Sequence, residues 1–240
     1  MINSFLLVGQ SNMVGRGLFG EVPPIVNPKI KAFLGGVWVV AEEPIFDEIK
    51  AEDGHGVTLS MSFADTLQKK YGKEIGLIPC AVGASFLHQW HPGEKFYEDA
   101  VAKATEALKT SKLKGILWMQ GEQDCDTEEH ATTYYERFFP FMNALVKTLK
   151  AENLPFILGE LGDYLEAYDY CKDNYATINA ELRKIAVSAP VFGYASAEGF
   201  QTVKHEWDLV HLNSASLREF GLRFAKQWEL AAERLGTILE

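Results

Sequence analysis

A serine stands directly after the first apolar run of the chain. In "LLVGQSNMVGRG" (6–17) the apolar stretch ends at Val8, Gly9 follows, and then come Gln10, Ser11 and Asn12. A serine hydroxyl becomes a useful nucleophile only with a base, a group that orients the base, and donors for the oxyanion that forms. His211, in "WDLVHLNSASLREFG" (207–221), is a candidate base. Asp208 precedes it by three residues, a spacing that lets the carboxylate meet one imidazole nitrogen while the other faces the serine. Neither signal stands alone. A serine after a strand is more often a helix N-cap, and an Asp-x-x-His spacing also occurs in ordinary loops, here with Asn213 or Ser214 as the cap of a following helix.

Other strand ends supply more. Gly83, in "CAVGASFLHQW", can bring a backbone N–H close to a ligand, or can simply make a turn. Gln120, in "LWMQGEQD", can donate to an oxyanion without changing charge, or can bond nearby backbone. Glu122 and Asp124 follow it and either order the site loop or cap the next helix. Trp38, Trp90, His88, His91 and Arg16 fall in or near the same loops. Aromatic rings there could stack on an apolar face of a substrate, and Arg16 could pair with a substrate carboxylate; packing is the competing role for the tryptophans. The coincidence of such residues at four strand ends carries more weight than any one motif.

The elements that must position these residues alternate. Continuous apolar runs at 4–9, 75–83, 115–121, 156–161 and 191–196 predict parallel strands covered on both faces. Amphipathic segments at 58–72, 95–111, 128–152, 174–189 and 214–235 predict helices. Pro140 is expected to kink or divide the third, and Asp126 with Glu129 to form its capping box. The pattern implies an α/β domain, one parallel sheet with helices on both faces, whose ligands gather at the carboxyl ends of the strands. The segment from about 10 to 56 reads as a long loop region with a short strand at 36–40. No linker or internal repeat divides residues 1–240, so a single domain is expected.

Composition narrows the function classes. The formal net charge of −10 argues against a nucleic-acid or anionic-membrane partner, which needs a basic face. Cys80, Cys125 and Cys171 form no Cys-x-x-Cys pair, so neither zinc nor a disulfide framework is indicated. No GxGxxG or Walker pattern follows the first strand, which disfavours nucleotide binding. Without a signal-peptide pattern or a long apolar stretch, a cytoplasmic location is expected.

Five blocks in order, "GQSNMVGRG" (9–17), "GVTLSMSFADTL" (56–67), "IGLIPCAVGASFLHQW" (75–90), "KGILWMQGEQD" (114–124) and "DLVHLN" (208–213), resemble those of the sialate O-acetylesterase-type carbohydrate esterases of the SGNH (GDSL-like) hydrolase superfamily. The resemblance implies a flavodoxin-like three-layer α/β/α fold and removal of acetyl groups from O-acetylated carbohydrates, with no metal or cofactor. It carries the nucleophile to Ser11, the base to His211 and the acid to Asp208. Ser11 N–H, Gly83 N–H and Gln120 become oxyanion donors, with Gln10, Asn12, Glu122 and Asp124 as site support and Arg16 and Trp90 as substrate contacts. The chain departs from the pattern at Gly83-Ala84-Ser85, where the family has Gly-Gly-Thr, and at Met119 and Gln123. An acetylxylan or other short-chain esterase, and a catalytically silent glycan-binding module, are the rival readings.

Overall fold

A computed structural model describes residues 1–203 and 208–240. In chain order the elements are β1 (Ile2–Gly9), α1 (Ser11–Val14), β2 (Gly17–Leu18), β3 (Ile30–Leu34), β4 (Val37–Val40), β5 (His55–Val57), α2 (Leu59–Tyr71), β6 (Ile75–Pro79), α3 (Lys95–Ala107), β7 (Ser111–Met119), α4 (Glu128–Thr132), α5 (Tyr134–Leu149), β8 (Phe156–Gly159), α6 (Tyr175–Ser188), β9 (Phe192–Ala195) and α7 (Ser214–Leu235). Seven strands form one sheet in the order β4-β3-β6-β1-β7-β8-β9. All neighbours are parallel except β4, which folds back on β3. The short β2 and β5 pair separately.

Both faces of the sheet are covered, as the unbroken apolar runs require. Phe5 meets Phe63 of α2 and Trp228 of α7 edge-on, and those two helices pack together. Trp118 packs instead on Phe138 and Phe141 of α5. Alternate residues of neighbouring strands thus supply two cores, the arrangement of an α/β/α sandwich. Truncating one of these fully buried phenylalanines to alanine costs about 3–5 kcal/mol. No helix among the described residues is long and apolar enough to cross a membrane.

Three expectations need correction. Segment 10–56 is more than loop: β3 and β4 form an edge hairpin around Gly35 and Gly36, both at positive φ (56° and 84°). A Gly-Gly turn suits the twist of a two-residue hairpin, but β3 is short and only partly apolar. Next, the break in the third helix falls at Thr133, and α5 runs through Pro140. Pro140 lacks the N–H that would bond the Glu136 carbonyl. Both residues are exposed, so water can take that role. Finally, α4 is capped by Thr127, whose side chain accepts from His130 N–H, while Asp126 meets the His130 ring.

The site follows from topology. From β1 the chain fills one side of the sheet with β3, β4 and β6, then crosses to β7, β8 and β9 on the other. The carboxyl end of β1 is therefore the switch point of the sheet, where adjacent loops diverge and leave a crevice.

Candidate active site

Ser11 occupies that switch point. Gly9, at the end of β1, has φ +128°, and a Cβ there would collide with the Met119 carbonyl. Only glycine lets the chain turn so close to β7. Gln10 N–H then bonds Met119 O at 2.8 Å, and the Gln10 side chain accepts from Gly121 N–H (3.2 Å) and Gln123 N–H (3.3 Å). Gln10 is the residue that precedes α1, so Ser11 is not an N-cap. Ser11 sits in the first turn of that helix, where the backbone N–H has no intrahelical acceptor.

His211 arrives from the loop before α7. Its Nδ1 lies 2.9 Å from Asp208 Oδ2, while Asp208 Oδ1 accepts the backbone N–H groups of His211 (3.0 Å) and Val210 (3.3 Å). Burial alone would raise the Asp208 pKa, but the His211 ring and these backbone donors hold it below the ordinary carboxylate value. A proton on Nδ1 leaves Nε2 as the acceptor.

Asn12 ties the two catalytic candidates together. Its Nδ2 donates to Val210 O (3.0 Å) and its Oδ1 accepts Leu212 N–H (3.0 Å), so it grips the backbone on both sides of His211. The same Nδ2 donates to Glu122 Oε1 at 2.7 Å. Glu122 is buried, and its Oε2 has no partner among the described residues. Burial pushes its carboxyl pKa up, offset only in part by Asn12.

Ser11, His211, Gln10, Arg16, Gly83 and Glu122 line one cavity of about 520 Å³. No direct hydrogen bond of 3.5 Å or less joins Ser11 to His211, as is common for such pairs before a substrate is bound. The cavity is also lined by residues not anticipated there, among them Glu48, Tyr168, Tyr170 and Val210. The tyrosines lie in "GDYLEAYDYC" (162–171), an aromatic cluster just past β8 whose position could have flagged it. Glu48 sits in a loop with no such signal. Its Oε2 accepts Gly83 N–H at 3.0 Å, and its Oε1 pairs with Arg16 Nη2 at 2.5 Å.

Gln120 does not reach the cavity. It is fully buried, and its Nε2 donates to Ser85 O (2.9 Å) and Asp124 Oδ2 (2.6 Å). Tyr134 O–H donates to its Oε1 at 2.7 Å. With both amide hydrogens engaged, it has none left for an oxyanion. Asp124 is likewise structural: it accepts Leu87 N–H (2.8 Å) and pairs with Arg137 (2.8 Å). Trp90 is also corrected. It is fully buried against Trp118 and Phe96, with its indole N–H on Ser85 Oγ. Trp38 bonds Thr110 from the edge hairpin, His91 bonds Arg137 O, and His88 stacks on Phe86. Of the five expected pocket residues, only Arg16 lines the cavity.

A second cavity of about 530 Å³ is lined by Phe19, Val22, Pro24, Ile25 and neighbours. Its charged residues include Glu43 and Arg218, which form a two-pronged ion pair (2.6 and 2.7 Å). It offers no nucleophile beside a base.

Comparison with known proteins gives the family and the fold. A family model described as carbohydrate esterase, sialic acid-specific acetylesterase, matches residues 1–229. A probable carbohydrate esterase of Arabidopsis thaliana is 32% identical over 173 residues, which span 63% of this chain and 64%, under two thirds, of that relative. An Arabidopsis thaliana crystal structure superimposes with TM-score 0.79 at 24% identity, covering 95% of this chain and 97% of the other. NanS superimposes at 0.69 with 17% identity, covering 94% and 95%. A carbohydrate acetylesterase from Xanthomonas citri also gives 0.69, with 20% identity over 99% of this chain and 57% of its own. These structural likenesses speak for the fold, and the family match over nearly the whole chain settles membership: the protein belongs to the sialic acid-specific acetylesterase family of carbohydrate esterases.

Proposed function

We propose that the protein removes acetyl groups from sugar hydroxyls through an acyl-enzyme on Ser11. One observation carries this reading: Ser11 and His211 open onto the same cavity, with Asp208 bonded to the far nitrogen of the imidazole. His211 Nε2 takes the hydroxyl proton as Ser11 Oγ attacks the acetyl carbonyl. Asp208 holds the tautomer and stabilises the imidazolium. The backbone N–H groups of Ser11 and Gly83 receive the developing oxyanion, which requires the acyl oxygen to replace Glu48 at Gly83. His211 then protonates the departing sugar alkoxide, and water attacks the acetyl-enzyme with His211 again as base.

Acetate release by wild type and Ser11→Ala, on O-acetylated xylo-oligosaccharides, O-acetylated sialic acids and an aryl acetate, tests the reading. Release by wild type alone is expected. Equal release by folded Ser11→Ala would overturn the nucleophile assignment. No release from any ester by folded wild type would favour a silent glycan-binding module.

A further inference from the structure

Among the described lining residues, the cation that could receive a substrate carboxylate already holds a carboxylate through its Nη2. Arg16 is the lysine-or-arginine side chain among the described lining residues, and its guanidinium meets Glu48 within the cavity. Glu48 is exposed but held in place. Phe46 and Ile49, close by in sequence, are buried, and both carboxylate oxygens have partners, one on Arg16 and one on Gly83 N–H. His55 adds no second cation at neutral pH: burial and then the charge of Arg16 lower its pKa. The other carboxyl groups among the described residues at the cavity are Glu122 and, behind His211, Asp208.

Building on the esterase reading above, we propose that Glu48 is a specificity-determining residue that makes this site accept acetyl esters of uncharged sugars and disfavour those bearing a carboxylate. Among the described residues an anionic sugar meets one guanidinium, which it must share with Glu48 or take from it, and eviction leaves an unpaired carboxylate in the same cavity. Both arrangements set like charges side by side, the repulsive element by which sites reject a competitor. A neutral sugar asks less. Its acetyl oxygen takes the Gly83 N–H, Glu48 keeps Arg16, and the freed Glu48 oxygen accepts a sugar hydroxyl. Tyr168 and Tyr170, with ring centroids 6.0 Å apart and planes tilted by 32°, give an uncharged wall for the apolar face of such a ring.

The test compares kcat/KM for O-acetylated sialic acid with its carboxyl methyl ester, which has nearly the same shape and no charge, with an aryl acetate as reference. Wild type is expected to favour the methyl ester by about tenfold, the scale of one like-charge contact partly screened by water. Glu48→Gln is expected to close most of that gap. A free acid hydrolysed as fast as, or faster than, its ester would overturn the proposal, as would a preference that survives Glu48→Gln intact. Aryl acetate hydrolysis in those cases would show that only the selectivity had failed. Its absence in folded wild type would remove the esterase reading and the proposal together.

Discussion

Two polar clusters sit at adjacent strand ends and have opposite fates. Past β7, Gln120, Asp124, Tyr134 and Arg137 close on one another: Gln120 donates to Asp124, Tyr134 to Gln120 and Arg137 to Asp124. At the end of β1, Ser11 and His211 face a cavity they share with Gly83 and the Arg16–Glu48 pair. Both clusters come from motif-like sequence beside apolar strands. A place at the carboxyl end of a strand therefore does not make a residue functional. Hydrogen-bonding capacity left over and turned to a cavity is what makes it a candidate.

Substitutions in the two clusters should separate cleanly. The largest effect is expected at Ser11→Ala: kcat falls by on the order of 10⁶ while urea midpoints barely move. Gln120→Ala should do the reverse. It leaves Asp124 and the Tyr134 hydroxyl short of partners, at a cost of about 1–3 kcal/mol each in chemical denaturation. A kcat loss of about 10²–10³ with stability intact would instead return Gln120 to the oxyanion site.

Asn12 lies on the border between the clusters. Asn12→Ala releases the backbone on both sides of His211, so kcat is expected to drop about 10²-fold, as for a misplacement of about 1 Å. A fall in kcat at near-constant KM, measured at several pH values, would mark positioning of the base. Asp208 gives a pH signature. Its pKa is lower in the folded protein than the ordinary value near ~3.9. Its stabilising contribution is therefore complete above that pH and lost as pH falls through the folded value. Acid unfolding curves of wild type should steepen below about pH 4 relative to Asp208→Asn. The smallest effect is at Ala84, beside Gly83, which holds φ +53° without being glycine. Ala84→Gly should raise stability by less than about 1 kcal/mol, because relief of αL strain exceeds the added chain entropy only slightly. A loss of activity with that gain would show that the strained loop helps set Gly83.

Much of this was legible in the chain. Unbroken apolar runs between amphipathic segments can only be satisfied by a sheet covered on both faces, so the parallel core and its helices followed from pattern. The turn that precedes Ser11 and the contact of Asp208 with His211 were legible because short-range geometry fixes them: a glycine after β1 and a three-residue spacing that closes on the imidazole. The β3–β4 hairpin was harder, since a short edge strand has a weak apolar signal.

What the sequence determined by itself was the order of elements and the local turns, because these depend on neighbours in the chain. Only the tertiary structure decided which polar side chains stay free. Trp90 and Gln120 resemble ligand-binding residues until packing buries them, and Glu48 resembles a loop carboxylate until a loop from the far edge of the sheet sets it on Arg16 and Gly83. For Glu48 and Gln120 the deciding contacts include some between residues more than thirty positions apart, which no local pattern encodes.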